Sequence, residues 1–241
     1  MNTNIALIGV LLSTVLTVGC QAKKSEIPTQ VIYRFDDHRY LELKGYYCEG
    51  ALWYVDTQRG IKSEVMDKFY RAFGGKYVHP SERYIAITDW DISGFMVSKD
   101  YGQTWRNAHY ASVPYGVEPD GTTSPKRENV VSFTVVNDQG FLLTKQGHLY
   151  LSSKPFDDPR VLPGGPGIDY TFTYDGKIGT GRIDPRSPGQ KWGMSYIELS
   201  TLKGQTNEEK AEWQGLPTKV PEVKNYTGWD HMQCDPDLGL E

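Results

Sequence analysis

The sequence predicts an all-β fold, arranged as a β-propeller of four or five small antiparallel sheets, and three observations carry that expectation. Ten short runs rich in aromatic or β-branched residues are separated by Gly, Asp, Asn and Pro. The composition holds 16 Tyr, 6 Trp and 25 Gly, residues that suit pleated surfaces and tight turns. Weak hairpin-like segments also recur about every 45–50 residues, the length of one four-stranded blade. A β-sandwich or an irregular β-barrel is the alternative.

Residues 1–19 read as a signal peptide. The stretch from Ile5 to Val18 is apolar except at Gly9, Ser13, Thr14 and Thr17, and it is too short for a permanent spanning helix, which needs about twenty residues. Leu16-Thr17-Val18-Gly19-Cys20 resembles the lipobox of bacterial lipoproteins, which implies that Cys20 carries lipid. Thr17 departs from the usual Leu and no Lys or Arg precedes the apolar run, so an ordinary secretory signal with a chance cysteine is the alternative reading. Gln21, where an inner-membrane lipoprotein has Asp, implies the inner leaflet of the outer membrane, facing the periplasm. Residues 20–29 then form the lipidated cysteine and a polar tether, and residues 30–241 a single β-rich periplasmic domain.

All charged residues follow the signal, so the net charge of −4 belongs to the mature chain. This argues against a nucleic-acid partner and favours an acidic face meeting a basic protein. With Cys20 assigned to lipid, Cys48 and Cys234 remain as a pair, expected to be bridged in an oxidising compartment; two buried free thiols are the alternative.

The strand-like runs are residues 31–35, 40–43, 52–55, 84–88, 94–98, 130–136, 141–144, 148–152, 170–174 and 194–199. Asn137-Asp138-Gln139-Gly140 and Lys145-Gln146-Gly147 read as hairpin turns whose Gly supplies the positive φ. Two stretches look helical: residues 64–73, with Val65, Phe69, Tyr70 and Phe73 apolar, and residues 207–213, short and acidic. The Pro- and Gly-rich stretches 162–167 and 184–189 are loops that either carry recognition or simply span sheets.

The most specific local signal is Ser98-Lys99-Asp100-Tyr101-Gly102-Gln103-Thr104-Trp105, which matches the Asp-box pattern S-x-D-x-G-x-T-W. Its Asp should accept backbone N–H bonds within the turn, its Gly should be left-handed, and its Trp should fold back between strands. The pattern resembles hairpins of sialidase-type propellers, in which the box is structural. Ser98, Asp100, Gly102, Thr104 and Trp105 are therefore read as scaffold. Weaker relatives begin at Tyr54-Val55-Asp56, Tyr150-Leu151-Ser152-Ser153 and Glu198-Leu199-Ser200.

No reactive constellation stands out. H-E-x-x-H, C-x-x-C and the P-loop pattern are absent, and Gly193-Met194-Ser195-Tyr196-Ile197 lacks the final Gly of a nucleophile elbow. Arg34, Arg39, Arg83, Arg106, Arg127 and Arg182 could supply a sialidase arginine triad, but nothing singles one out. Asp89, Asp91, Ser93 and Asp100 mimic EF-hand spacing in a strand context, where local turn bonding is favoured. The five histidines show no metal-ligand spacing. The expectation is a non-enzymatic protein with no cofactor and no metal.

The lipobox, the segment Val31-Ile32-Tyr33-Arg34-Phe35-Asp36-Asp37-His38-Arg39-Tyr40, the run from Leu52 to Ile61, and Gly94-Phe95-Met96-Val97-Ser98 resemble the type VI secretion immunity lipoproteins that neutralise a phospholipase effector. The similarity covers most of residues 30–110 and loosens afterwards. It implies a protein that binds a cognate lipase effector in the periplasm, touching the membrane only through its lipid. Exposed aromatics beside acids are the expected contacts: Trp90 with Asp91, Tyr115, and Trp229 with Asp230. The competing readings are a glycan-binding or sialidase-like propeller and a structural envelope lipoprotein.

Overall fold

Aromatic and β-branched residues at alternating positions give the chain its strands, and the computed structural model describes them over residues 26–111, 123–153, 160, 164–185, 193–201 and 217–240. The first four strands, β1 (Thr29–Arg34), β2 (Arg39–Tyr46), β3 (Glu49–Asp56) and β4 (Ile61–Arg71), form an antiparallel meander in sequence order. Leu41, Leu43, Leu52 and Tyr54 point inwards and are fully buried, while Glu42, Lys44 and Trp53 alternate with them on the outer face.

The second sheet joins β5 (Lys76–Val78), β6 (Ile85–Thr88), β7 (Phe95–Ser98), β8 (Arg106–Tyr110), β9 (Val130–Val136), β10 (Gln139–Thr144), β11 (Leu149–Ser152) and β14 (Ser195–Glu198). Its order is β5-β9-β10-β11-β14-β8-β7-β6. The hairpin of β12 (Ile168–Tyr174) and β13 (Lys177–Ile183) is a two-stranded sheet of its own.

The all-β expectation therefore holds, but the described strands are grouped as sheets of four, eight and two. The physical reason lies in two parallel pairings, β5 with β9 and β14 with β8, which fuse antiparallel meanders into one large sheet. Turns of related design do recur, since the Asp56 carboxylate accepts the N–H groups of Gln58 and Arg59, and that of Glu198 accepts those of Ser200 and Thr201.

The four- and eight-stranded sheets share one core, in which Leu43, Leu52 and Tyr54 of the first belong with Ile85, Ile87, Phe95, Phe133, Tyr150 and Tyr196 of the second. Each such side chain contributes roughly 1.5–3 kcal/mol by leaving water. Phe95 and Tyr196 stack with ring centroids 3.8 Å apart. Two of the buried tyrosine hydroxyls find carbonyl acceptors: Tyr77 donates to that of Ala86 (2.6 Å) and Tyr84 to that of Gly193 (2.8 Å). Arg39, almost wholly buried, donates to Asp36 (2.7 Å) and to the Ser81 carbonyl (2.7 Å), tying the β1–β2 turn to the segment before β6. His79 accepts the Ala86 N–H through Nε2; burial, and then the Arg39 charge, push its pKa well down, so the ring is neutral.

Residues 217–240 contain no strand, yet they work as a strap. Trp229 N–H donates to the Arg34 carbonyl (2.8 Å), Gln233 N–H to that of Ile32 (2.8 Å), and Tyr77 N–H to that of Asp230 (2.7 Å). The strap thus covers the outer edges of β1 and β5, one edge of each large sheet, where unpaired backbone would otherwise face solvent. The expected Cys48–Cys234 disulfide is formed and fastens the strap to the β2–β3 turn.

Three sequence expectations are corrected. Residues 64–73 are not helical, because residues 64–71 continue β4. Pairing with β3 satisfies the backbone, and bulges opposite Leu52 shift the phase so that Val65 and Tyr70, five apart, both face inwards. In the β9–β10 turn the positive φ values belong to Asn137 (53°) and Asp138 (57°), not to Gly140. A Cβ on Gly140 would lie 2.3 Å from the Tyr196 hydroxyl, so that glycine makes room for the ring instead. Gly147 does take a positive φ, 86°. Strands β5, β8 and β13 were not among the predicted runs, and the second expected helix, residues 207–213, lies outside the described residues.

Candidate functional site

Strand β7 is bounded by two turns, each holding an aspartate and a tryptophan. In the turn that leaves it, Ser98 Oγ donates to Asp100 Oδ1 (2.7 Å) and accepts the Gly102 N–H (2.8 Å). Asp100 accepts the Thr104 N–H (2.9 Å) and the Thr104 hydroxyl (2.6 Å). Burial opposes the Asp100 charge, but the bonds from Thr104, Ser98 and Gln103 outweigh it and hold the carboxyl below its usual range. Gly102 has φ 88°, and a Cβ there would lie 2.2 Å from the Tyr54 ring. Trp105 packs on Tyr54 with centroids 5.8 Å apart and donates its indole N–H to Ser63 Oγ (2.8 Å). The side-chain polar groups of Ser98, Asp100, Thr104 and Trp105 are all engaged within the protein.

The turn that enters β7 closes with Asp89 N–H on the Gly94 carbonyl (3.0 Å), Ile92 N–H on that of Asp89 (3.1 Å) and Ser93 N–H on the Asp91 carboxylate (3.0 Å). Ile92, at φ 64°, is fully buried and plugs the turn onto the core. Burial, and then the neighbouring Asp91 charge, push the Asp89 carboxyl up. The EF-hand-like oxygens are thus divided between two separate turns.

Trp90, at the tip of that turn, is 37% exposed. The Arg71 guanidinium lies over its ring at 5.0 Å from the centroid and that of Arg127 at 5.6 Å. Arg71, at the end of β4, also donates to Glu49 from Nη2 (2.5 Å) and Nε (2.7 Å). Two residues before Glu49 stands Tyr47, 70% exposed, and two before Arg71 stands Phe69, 64% exposed with Lys68 over its ring at 5.6 Å. Arg71 thus joins Trp90 to Glu49, and the exposed Tyr47 and Phe69 each stand two residues from one member of that pair, which gives the end of the four-stranded sheet an aromatic and arginine ridge.

The ridge is presented by strained backbone. Tyr47 (φ 55°), Cys48 (φ 59°) and Phe69 (φ 62°) are all left-handed, a conformation that costs a non-glycine residue about 1–2 kcal/mol. Pairing of β2 with β3 and the disulfide hold the first two in place. Next to Tyr47, a groove of about 610 Å³ lined by Lys44, Tyr46, Trp53, Glu64 and Lys68 runs along the outer face of the same sheet. Solvent-exposed aromatics and arginine on a rigid support are the side chains from which protein-binding hot spots are built.

Of the residues singled out in the sequence, Trp90 and Asp91 stand together on this ridge. Trp229 is half-buried against the core and its backbone belongs to the strap, while Asp230 is exposed and bonded to His231 (3.0 Å), which holds its carboxyl low. Tyr115 and Cys20 lie outside the described residues. Tyr47 and Arg71 escape sequence reasoning, Phe69 reads there as part of a helix face and Arg127 only as a possible triad arginine, because nothing local marks two arginines 56 positions apart as neighbours of one indole. Among the described residues Asp36, Asp37 and His38 bring three ligand atoms together, but Asp36 already accepts two backbone N–H groups and the Arg39 side chain.

Residues 25–143 match the model of a protein family described as T6SS Tli3 immunity protein. The matched stretch contains the whole four-stranded sheet, both turns around β7, and Arg127. No curated protein matches the chain.

Proposed function

We propose that this chain, which belongs through residues 25–143 to the T6SS Tli3 immunity protein family, binds and blocks a phospholipase effector delivered into the periplasm by type VI secretion. In this reading it acts without chemistry of its own, and lipid on Cys20 holds it at the inner leaflet of the outer membrane, on the side where such a lipase attacks. The carrying observation is the Trp90 ridge: a tryptophan against two arginines, with two further exposed aromatics on strained backbone, all inside the family-matched stretch.

The test is protection. The effector encoded beside the gene for this chain is directed to the periplasm of a sensitive host, with or without this chain. Survival and intact phospholipid are expected only with it, and only while the purified proteins form a complex. Lysis despite stable co-expression would end the immunity reading for that effector, and protection without phospholipid cleavage by the effector alone would end the phospholipase assignment. Anchoring is tested separately by palmitate labelling, expected for wild type and absent in Cys20→Ser.

A further inference from the structure

We propose that the cleft beside Trp90 is an acid-binding pocket, in which Arg127 receives one Asp or Glu side chain from the protein partner. The inference rests on the reading of the ridge as the effector contact and assigns the chemistry of what docks there.

The two arginines at Trp90 are not equivalent. Arg71 already has its carboxylate, Glu49. The Arg127 side chain has neither an acid nor a hydrogen-bond acceptor among the described residues, although it is placed by the Trp90 ring and by the short turn Arg127–Asn129 that precedes β9. A guanidinium carries five N–H donors, and the ring supplies none of the lone pairs those donors require. A carboxylate is the protein group whose two oxygens match that fork.

The surroundings fit one such group. Phe73, Gly74, Gly75, Arg127, Glu128 and Val130 line a cleft of about 300 Å³. A Cβ on Gly74 would lie 3.8 Å from Arg127 Nη2, so any larger residue there would grow towards the guanidinium. A Cβ on Gly75 would lie 2.4 Å from the Phe73 ring, which is buried, so a side chain there would collide with the cleft wall. Glu128 lines the same cleft without pairing with Arg127, and its charge disfavours a second acid. The geometry therefore selects a single carboxylate beside an apolar contact on Trp90, although the chain as a whole carries a charge of −4.

The experiment measures affinity of the lipid-free mature chain for the catalytically inactive effector encoded beside its gene, across a salt series. Arg127→Ala is expected to weaken binding ~10- to 100-fold and to flatten its salt dependence. Arg127→Lys should recover only part, because an ammonium cannot make the two-pronged contact. Arg127→Glu should bind worse still and be rescued by one Asp or Glu→Lys change in the effector. Wild-type affinity and salt dependence in both Arg127→Ala and Arg127→Glu would overturn the acid-binding pocket while leaving the immunity reading intact. Absence of binding by the wild-type chain would overturn both.

Discussion

The turn that enters β7 and the turn that leaves it are made of the same residue types, yet one turns its tryptophan outwards and the other inwards. In the second, Asp100 is surrounded by donors and stays charged, Gly102 lets the backbone approach Tyr54, and the Trp105 N–H is bonded to Ser63. In the first, Asp89 is pushed up by burial, Ile92 rather than the tryptophan enters the core, and the Trp90 N–H has no acceptor among the described residues. The difference lies in what each indole meets. A tryptophan whose N–H and ring both find partners inside the molecule stabilises it, and one that meets only two cations is available to another molecule.

Substitutions in the two turns should separate accordingly. Gly102→Ala has the largest expected effect, a loss of about 3 kcal/mol in urea denaturation, because it combines a left-handed backbone with a clash against the Tyr54 ring. Trp105→Ala follows at about 2–3 kcal/mol, through lost ring packing and the lost indole bond to Ser63, whose hydroxyl keeps its own bond to the Gly102 carbonyl, with effector affinity unchanged in the folded fraction. Trp90→Ala should do the reverse: binding weakens by about 2 kcal/mol, near 30-fold, and stability shifts by no more than ~0.5 kcal/mol. Equal losses of stability in Trp90→Ala and Trp105→Ala would erase the distinction between the turns.

The smallest effects concern the aspartates and are read from stability against pH. Asp100→Asn should cost about 1 kcal/mol at neutral pH through weakened bonds to Thr104. Because the folded carboxyl titrates below its unfolded value, the Asp100 contribution is present above the unfolded pKa and fades as pH falls through the folded one; mutant and wild type converge in acid. Asp89 runs oppositely. Its folded pKa is raised, so its charge opposes folding above that value, and Asp89→Asn should gain relative stability as pH rises from the acid range to neutrality.

How much of this was legible depended on whether the signal was local. Ten strand runs could be read from aromatic and β-branched residues between turn formers, and the turn after β7 from its eight-residue pattern. Strand β4 could not, because the bulged segment around Phe69 turns a two-residue period into the spacing of a helix face. Strand β8, Arg-Asn-Ala-His-Tyr, is too polar to signal itself, and Gly179 and Gly181 disguise β13. At the ridge, Trp90 could be found as an aromatic beside acids. Its arginines could not, since Arg71 and Arg127 meet it only after folding. Trp229 had the same local appearance as Trp90, and only the strap's bonds to Arg34 and Tyr77 distinguish its setting.

The strap also imposes an order on the making of this molecule. Among the described residues β1 is the first strand and the strap the last segment, and Gln30 and Asp235, which bond to each other, are 205 positions apart. Until the C-terminal residues exist, β1 offers a bare edge, the Tyr77 N–H has no acceptor from Asp230, and Cys48 has no partner thiol. Contacts between such distant parts form late, and an uncovered edge invites pairing with foreign strands. A chain cut short of Cys234 would leave β1 open and the β2–β3 turn unfastened, so the fold closes on itself only once the strap has been translated.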